Sequence, residues 1–293
     1  MALPGFIGLG VMGQPMALNL RKAGHALGVY ARDPAQSAPL LAAGATLHAT
    51  PHALAQASDI LFINVSDQTA LESVLFAPAG AAAGLRAGCI VVDMGTTSPA
   101  YTRQLAMQLG ARGIDLLDAP VSGGQAGAIA GTLSIMVGGP AAAFARVRPL
   151  FEAIGNCITH VGETGAGQVA KACNQIVVSA ALLGVAEAFT FAARQGVDAA
   201  RVRQALLGGS AYSRILEIHG QRMLENRFKP GFKARLHQKD LGIVLAEAQK
   251  AGLALPSAAL AAQLMNALVG NGDGELDSSA LIKVMQQLNG ISS

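Results

Sequence analysis

Short, unbroken apolar runs recur through the first half of the chain, separated by stretches with helical periodicity. Gly5-Phe6-Ile7-Gly8 predicts a buried strand, and residues 12–23 predict the helix that follows it. Leu27-Gly28-Val29-Tyr30, Ile60-Leu61-Phe62-Ile63 and Cys89-Ile90-Val91-Val92-Asp93 predict three more strands. Residues 114–119, 133–137 and 157–161 add further candidates. Continuous apolar runs, rather than strict alternation, suit strands covered on both faces. Strands alternating with helices imply βαβ units and a mainly parallel, doubly wound sheet of the α/β class. Asp33-Pro34, Thr50-Pro51 and Ser98-Pro99 each place a capping oxygen before a proline at the first helical position.

The pattern changes after Gly162. Residues 167–194 hold no strong breaker and predict one long helix. Gly184 inside it costs roughly 1 kcal/mol relative to Ala, which points to close packing there. Shorter helices are predicted at 198–207, 212–225, 238–251, 257–269 and 278–288. The expected organisation is a Rossmann-type domain at 1–163, an interdomain helix at 164–194 and an all-helical domain at 195–293.

Composition narrows the class. The chain has 293 residues, 52% of them hydrophobic, which allows a large core and argues against disorder. The net charge of +3 does not suggest nucleic-acid binding. One cationic cluster, at 222–239, is either a solvated helix face or a surface near an anionic ligand. Cys89, Cys157 and Cys173 form no disulfide framework or metal pair, which suits a reducing cytoplasm. Residues 5–13 form a glycine turn without a basic leader region or cleavage site. The most apolar stretch, 176–193, is interrupted by Glu187 and reads as a core helix rather than a membrane span.

The turn Gly8-Leu9-Gly10-Val11-Met12-Gly13 has the context that a dinucleotide site requires: a strand before it, a helix after it and a second strand about 20 residues on. Gly8 allows the tight turn, Gly10 lets backbone approach a pyrophosphate, and Gly13 lets the helix pack on the strand. The anion then meets free N–H groups at the helix N-terminus. At the end of the second strand, Arg32 favours the 2′-phosphate of NADP, although Asp33 is placed to turn toward the ribose of NAD. Further cofactor contacts are expected in the loops after later strands, at Val65 and Ser66 in Asn64-Val65-Ser66-Asp67 and at Thr96 in Gly95-Thr96-Thr97.

Three downstream segments carry candidate chemistry. In Asp118-Ala119-Pro120-Val121-Ser122-Gly123-Gly124, the Ser122 hydroxyl and the amides of Gly123 and Gly124 could hold a carboxylate; the alternative is a plain glycine loop. In residues 165–175, Lys171 shares a helix face with Asn174 and Gln175. Lys171 either snorkels or acts, and desolvation would move its pKa down toward that of a useful general acid. In His237-Gln238-Lys239-Asp240, taken as a helix start, Lys239 could reach cofactor or substrate. The histidines are scattered, and His48 and His52 straddle Pro51, so no metal is expected.

Taken in this order, the Gly5-to-Gly10 opening, residues 118–124, residues 165–175 and Lys239-Asp240 resemble the β-hydroxyacid dehydrogenase family. The resemblance runs from residue 5 to about 288. It implies a two-domain NAD(P)-dependent oxidoreductase that interconverts a short 3-hydroxy acid and its semialdehyde. Lys171 would be the general acid/base, Ser122, Gly123 and Gly124 would hold the substrate carboxylate, and Asn174 would orient the substrate. Thr96 and Lys239 would touch the nicotinamide end of the cofactor. Gln175 stands where some members have Asn; members acting on tartronate semialdehyde are similar there, which implies that substrate, reduced to glycerate. Relatives acting on 3-hydroxyisobutyrate, succinic semialdehyde or glyoxylate are the alternatives. The Asn64-to-Asp67 loop departs from the Met-Leu-Pro often found in relatives. A non-catalytic dinucleotide sensor would not need Lys171. An imine reductase shares the two-domain plan but typically lacks the lysine. The family also implies a homodimer or homotetramer.

Overall fold

The computed structural model describes residues 3–291. Its first compact unit ends at Lys171 and its second begins at Ala172. The first unit is built on strands β1 (Pro4–Ile7), β2 (Gly28–Tyr30), β3 (Thr46–Leu47), β4 (Ile60–Ile63), β5 (Ile90–Asp93), β6 (Asp115–Asp118), β7 (Val121–Ser122), β8 (Leu133–Gly138) and β9 (Gly155–Gly162). The helices between them are α1 (Gly13–Lys22), α2 (Ala38–Ala42), α3 (Pro51–Gln56), α4 (Gln68–Phe76), α5 (Ala81–Gly84), α6 (Pro99–Gly110), α7 (Gly124–Ala130) and α8 (Ala141–Phe151). Helix α9 (Ala166–Arg194) leaves this unit and continues into the next.

The strand order is β3-β2-β1-β4-β5-β6-β8-β7, with β9 added on β8. Pairing is parallel from β3 across to β6, then antiparallel at β6–β8 and β7–β8. This is the mainly parallel, doubly wound sheet expected. The register explains where chemistry collects. Tyr30, Ile7, Ile63, Asp93 and Asp118 lie side by side across five strands, so the loops that follow leave from one edge. Ligands of open α/β sheets bind at that carboxyl edge, where the strand order reverses.

Both faces of the sheet are covered, as the apolar runs require. Phe6, Val29, Phe62 and Val92 face a core completed by Met16, Leu20 and Phe151. Their neighbours Ile7, Leu61, Ile63 and Val91 face a second core with Leu54, Leu71 and Leu105. The proline-led helix starts also form as expected. Thr50 accepts from the Ala53 amide at 3.0 Å and Ser98 from the Tyr101 amide at 3.1 Å. Asp33 caps a short 3₁₀ turn, Pro34–Ser37.

The second unit continues with α10 (Ala199–Leu207), α11 (Arg214–Leu224), α12 (Ala234–Lys250), α13 (Pro256–Leu268) and α14 (Leu281–Leu288). Leu182, Leu183, Ala186 and Phe189 of α9 lie in its core with Leu216, Leu241, Met265 and Leu281. Helix α9 is long and apolar enough to cross a membrane by length and composition. Within the chain it also buries the polar Gln168, Gln175, Ser179 and Thr190.

Three local expectations need correction. Helix α12 begins at Ala234, not at residue 238, so His237-Gln238-Lys239-Asp240 sits inside the helix. The early start is set from a distance: the Asp277 carboxylate accepts the Gly231 and Phe232 amides at 2.9 and 3.1 Å. Ser122 is not in an open loop but on β7, paired with Ser134 of β8. The last helix is split, with a 3₁₀ turn at Ser278–Ala280 preceding α14.

Candidate active site

The three motif glycines are needed for three different reasons. Gly8 has φ +96°, and a Cβ there would lie 2.1 Å from the Asn64 carbonyl oxygen. A Cβ on Gly13 would lie 1.8 Å from the Gly8 oxygen, so α1 seats directly on the turn. A Cβ on Gly10 would meet nothing within 4 Å. That last space faces out of the protein fold, as a close backbone approach to a ligand requires. The N-cap of α1 is Met12, which makes no side-chain capping bond, and the first turn holds no acidic residue. An anion at this N-terminus therefore meets no competing side-chain cap or charge. Leu9 is buried in the core and the half-buried Met12 packs against it, whereas Val11 is exposed.

Arg32 is exposed beyond the end of β2. Asp33 is committed elsewhere: its Oδ1 accepts the Ala35 amide at 3.0 Å. In the next loop, Val65 is half-buried, and the exposed Ser66 donates to Asp67 at 2.6 Å. Asp67 in turn caps α4 through the Ala70 amide at 2.8 Å.

Lys171 is only 7% exposed, and its Nζ donates to the Val121 carbonyl at 3.0 Å. Val121 precedes Ser122, so one bond brings the lysine beside the candidate carboxylate loop. Gly123 and Gly124 follow at φ +133° and +60°, conformations that side chains resist. Gly124 begins α7, two positions after Ser122.

Asp118 anchors this arrangement from below. It is fully buried, and its carboxylate accepts the Gly165 and Gln168 amides at 2.8 and 2.9 Å. Burial pushes its pKa above the usual carboxylate range, against the lowering effect of those amides. Gly138 and Gly167 pack closely against it; a Cβ on Gly167 would lie 2.4 Å from the Asp118 carbonyl. The start of α9 is thus fixed on the ends of β6 and β8.

Thr96 is half-buried in the loop after β5. Asp93 accepts the Gly95 amide at 2.9 Å. Gln168 brackets the same loop, donating to the Gly95 carbonyl at 3.0 Å and accepting the Thr97 amide at 3.2 Å. Sequence reading overlooked Gln168; the signal was a polar residue one turn before Lys171 on a largely apolar helix.

The second unit holds its own chain of contacts. Asn174 donates to Gln175 at 2.7 Å, Gln175 donates to Asp240 at 2.7 Å, and Lys239 pairs with Asp240 at 3.1 Å. Gln175 is buried and both ends of its amide are engaged, while Asn174 is half-buried one turn along α9 from Lys171. The cationic cluster at 222–239 is largely paired internally: Arg222 with Asp277, Lys233 and Arg235 with Glu275, and Arg227 with Glu225.

A glycine turn built for a dinucleotide, with a buried lysine beside a serine-glycine loop, defines a nicotinamide-dependent oxidoreductase. Residues 4–162 match the model of the NAD-binding domain of 6-phosphogluconate dehydrogenase. Residues 165–285 match the NAD-binding model of NADP-dependent 3-hydroxyisobutyrate dehydrogenase. The 2-hydroxy-3-oxopropionate reductase of Escherichia coli K12 is 49% identical over 282 residues, covering 96% of both chains. The NAD-dependent L-serine dehydrogenase of Pseudomonas aeruginosa is 37% identical, covering 97% of this chain and 98% of its own. The crystal structure of 3-hydroxyisobutyrate dehydrogenase from Salmonella typhimurium superposes with a TM-score of 0.89 at 30% identity, covering 97% of this chain and all of that one. The chain belongs to the β-hydroxyacid dehydrogenase family, whose members are NAD(P)-dependent and act on CH–OH groups.

Proposed function

We propose that this enzyme reduces 2-hydroxy-3-oxopropionate (tartronate semialdehyde) to glycerate, with NADPH as the preferred reductant. The observation that carries the chemistry is the buried Lys171 held at 3.0 Å from the Val121 carbonyl, next to Ser122. The choice of substrate is supported by the 49% identical relative, whose name is 2-hydroxy-3-oxopropionate reductase. The reduced nicotinamide supplies the hydride that makes the new C–H bond. Lys171 supplies the proton: its ammonium N–H breaks as the carbonyl oxygen becomes a hydroxyl. Ser122 and the Gly123 and Gly124 amides hold the substrate carboxylate, so that the carbonyl meets Lys171 in a fixed orientation. Asn174, one turn along, orients the hydroxyl end of the substrate.

The NADPH preference rests on Arg32 and Asp33. The guanidinium is exposed at the strand end, and the carboxylate that would bind a free ribose is held by the Ala35 amide. Val65, Ser66 and Thr96 complete the cofactor contacts of the first unit. The absence of paired cysteines among the described residues fits a cytoplasmic setting. A homo-oligomer is supported by the exposed apolar side of α9, where Val177 and Phe191 are 68% and 67% exposed.

The test is a steady-state panel of tartronate semialdehyde, methylmalonate semialdehyde, succinic semialdehyde and glyoxylate, each with NADH and with NADPH. Tartronate semialdehyde with NADPH is expected to give the highest kcat/KM. In the same assay Lys171→Ala lowers kcat by about 10² to 10⁴. A loss of only a few-fold removes Lys171 as the proton donor.

A further inference from the structure

Gln168 lies one helical turn before Lys171 and is buried. It touches two segments of the first unit through three hydrogen bonds. Its backbone N–H donates to Asp118 at 2.9 Å, at the head of the segment that carries Val121 and Ser122. Its side-chain Nε2 donates to the Gly95 carbonyl at 3.0 Å, and its Oε1 accepts the Thr97 amide at 3.2 Å. The amide therefore grips the backbone on both sides of Thr96, as a neighbouring strand would. Asp93 holds the same loop from the sheet, through the Gly95 amide at 2.9 Å and the Thr97 hydroxyl at 3.4 Å.

A buried amide must keep both ends bonded or lose stability. Packing alone would be served by an apolar side chain here. A glutamine with both ends on one loop instead ties that loop to the turn of helix that precedes the lysine. We propose that Gln168 is a positioning residue: it sets Thr96, on the cofactor side, at a fixed distance from the Lys171 ammonium, so that hydride and proton arrive at one carbonyl. This assignment rests on the reduction proposed above. Misplacement by about 1 Å can cost 10²-fold in rate.

Two substitutions test it in the full-length enzyme. Gln168→Met keeps the length and removes both bonds. It is expected to lower kcat about 10- to 100-fold, leave the Kd for NADPH within about threefold, and raise the kinetic isotope effect measured with C4-deuterated NADPH. Gln168→Glu keeps the acceptor but, when ionised, lacks the donor. Burial beside Asp93 and Asp118 raises the pKa of such a glutamate. Its protonated form again offers one O–H to the Gly95 carbonyl and one C=O to the Thr97 amide. The ratio of Gln168→Glu to wild-type kcat should therefore rise as pH falls, while the Gln168→Met ratio stays flat.

A merely structural role would lower Tm but leave kcat per NADPH-binding site and the isotope effect unchanged; that result overturns the assignment. A Gln168→Glu ratio independent of pH overturns it too, and decides the matter if Gln168→Met fails to fold. If the wild type reduces none of the panel, the functional reading fails and takes this assignment with it. If the wild type is active and Gln168→Met matches it, only the assignment fails.

Discussion

Arg32 and Asp33 are adjacent, opposite in charge and placed at the same strand end, yet the fold uses them differently. Asp33 spends its carboxylate on the Ala35 amide, whereas Arg32 stands in solvent. A hydrogen bond to a charged group contributes about 1.5–3 kcal/mol, and 1.4 kcal/mol is a factor of ten. Arg32→Ala is therefore expected to raise the KM for NADPH by about 10- to 100-fold and leave that for NADH nearly unchanged. Parallel KM measurements with the two cofactors check this; equal effects on both would remove Arg32 as the reader of the 2′-phosphate. Residues of this kind are legible in sequence because their context is local: a strand end, a glycine spacing, a lysine with an asparagine three positions on. Gln168 was not, because its partners Gly95 and Thr97 lie more than 70 positions away and are backbone atoms. Any side chain can precede a backbone partner, so its identity leaves no motif there.

Among the elements, the long apolar helix and most of the parallel strands could be foreseen from periodicity, with boundaries within a few residues; β3, parallel to β2 but only two residues long, could not. The start of α12 could not, because it is governed by Asp277, over 40 positions further on. That carboxylate is fully buried. It binds Arg222 at 2.7 Å, the Gly231 and Phe232 amides, and Ser279 at 2.6 Å, with His219 at 3.4 Å. Burial by itself would raise its pKa, but the adjacent His219 imidazole, the Ser279 hydrogen bond and the Arg222 charge outweigh this and hold it well below the ordinary 3.8. A carboxyl whose pKa is depressed on folding stabilises the fold above its unfolded pKa and loses that contribution as pH falls below it. Asp277→Asn is thus expected to cost about 3 kcal/mol near neutral pH, since it leaves the partly buried Arg222 without its counter-charge. Unfolding measured for both proteins at several pH values should show the gap constant above about pH 5 and narrowing below 3.8, by about 1.4 kcal/mol per pH unit. A gap that does not change with pH would mean that Asp277 acts by shape and not by charge.

At the scale of the whole molecule, the side of α9 left bare within the chain calls for a partner. Val177, Gly184 and Phe191 recur at seven-residue intervals, so they share one side of the helix. Val177 and Phe191 are both about two-thirds exposed, and a Cβ on Gly184 would meet nothing within 4 Å. A glycine midway between two exposed apolar side chains suits the close approach of another helix, and it costs helix stability that packing inside one chain does not repay. The same side of a second copy has the same composition, so a two-fold pairing would match apolar surface to apolar surface. The chain mass is 29.7 kDa. Light scattering on the wild type is expected to give two or four times that mass. Phe191→Glu places a charge within the paired surface and should shift the mass toward 29.7 kDa. It should do so with the helical circular dichroism retained, because Phe191 takes no part in the core of its own unit. A wild type that runs as a monomer, or a Phe191→Glu variant that stays assembled, would place the oligomer interface, if there is one, away from this side of α9.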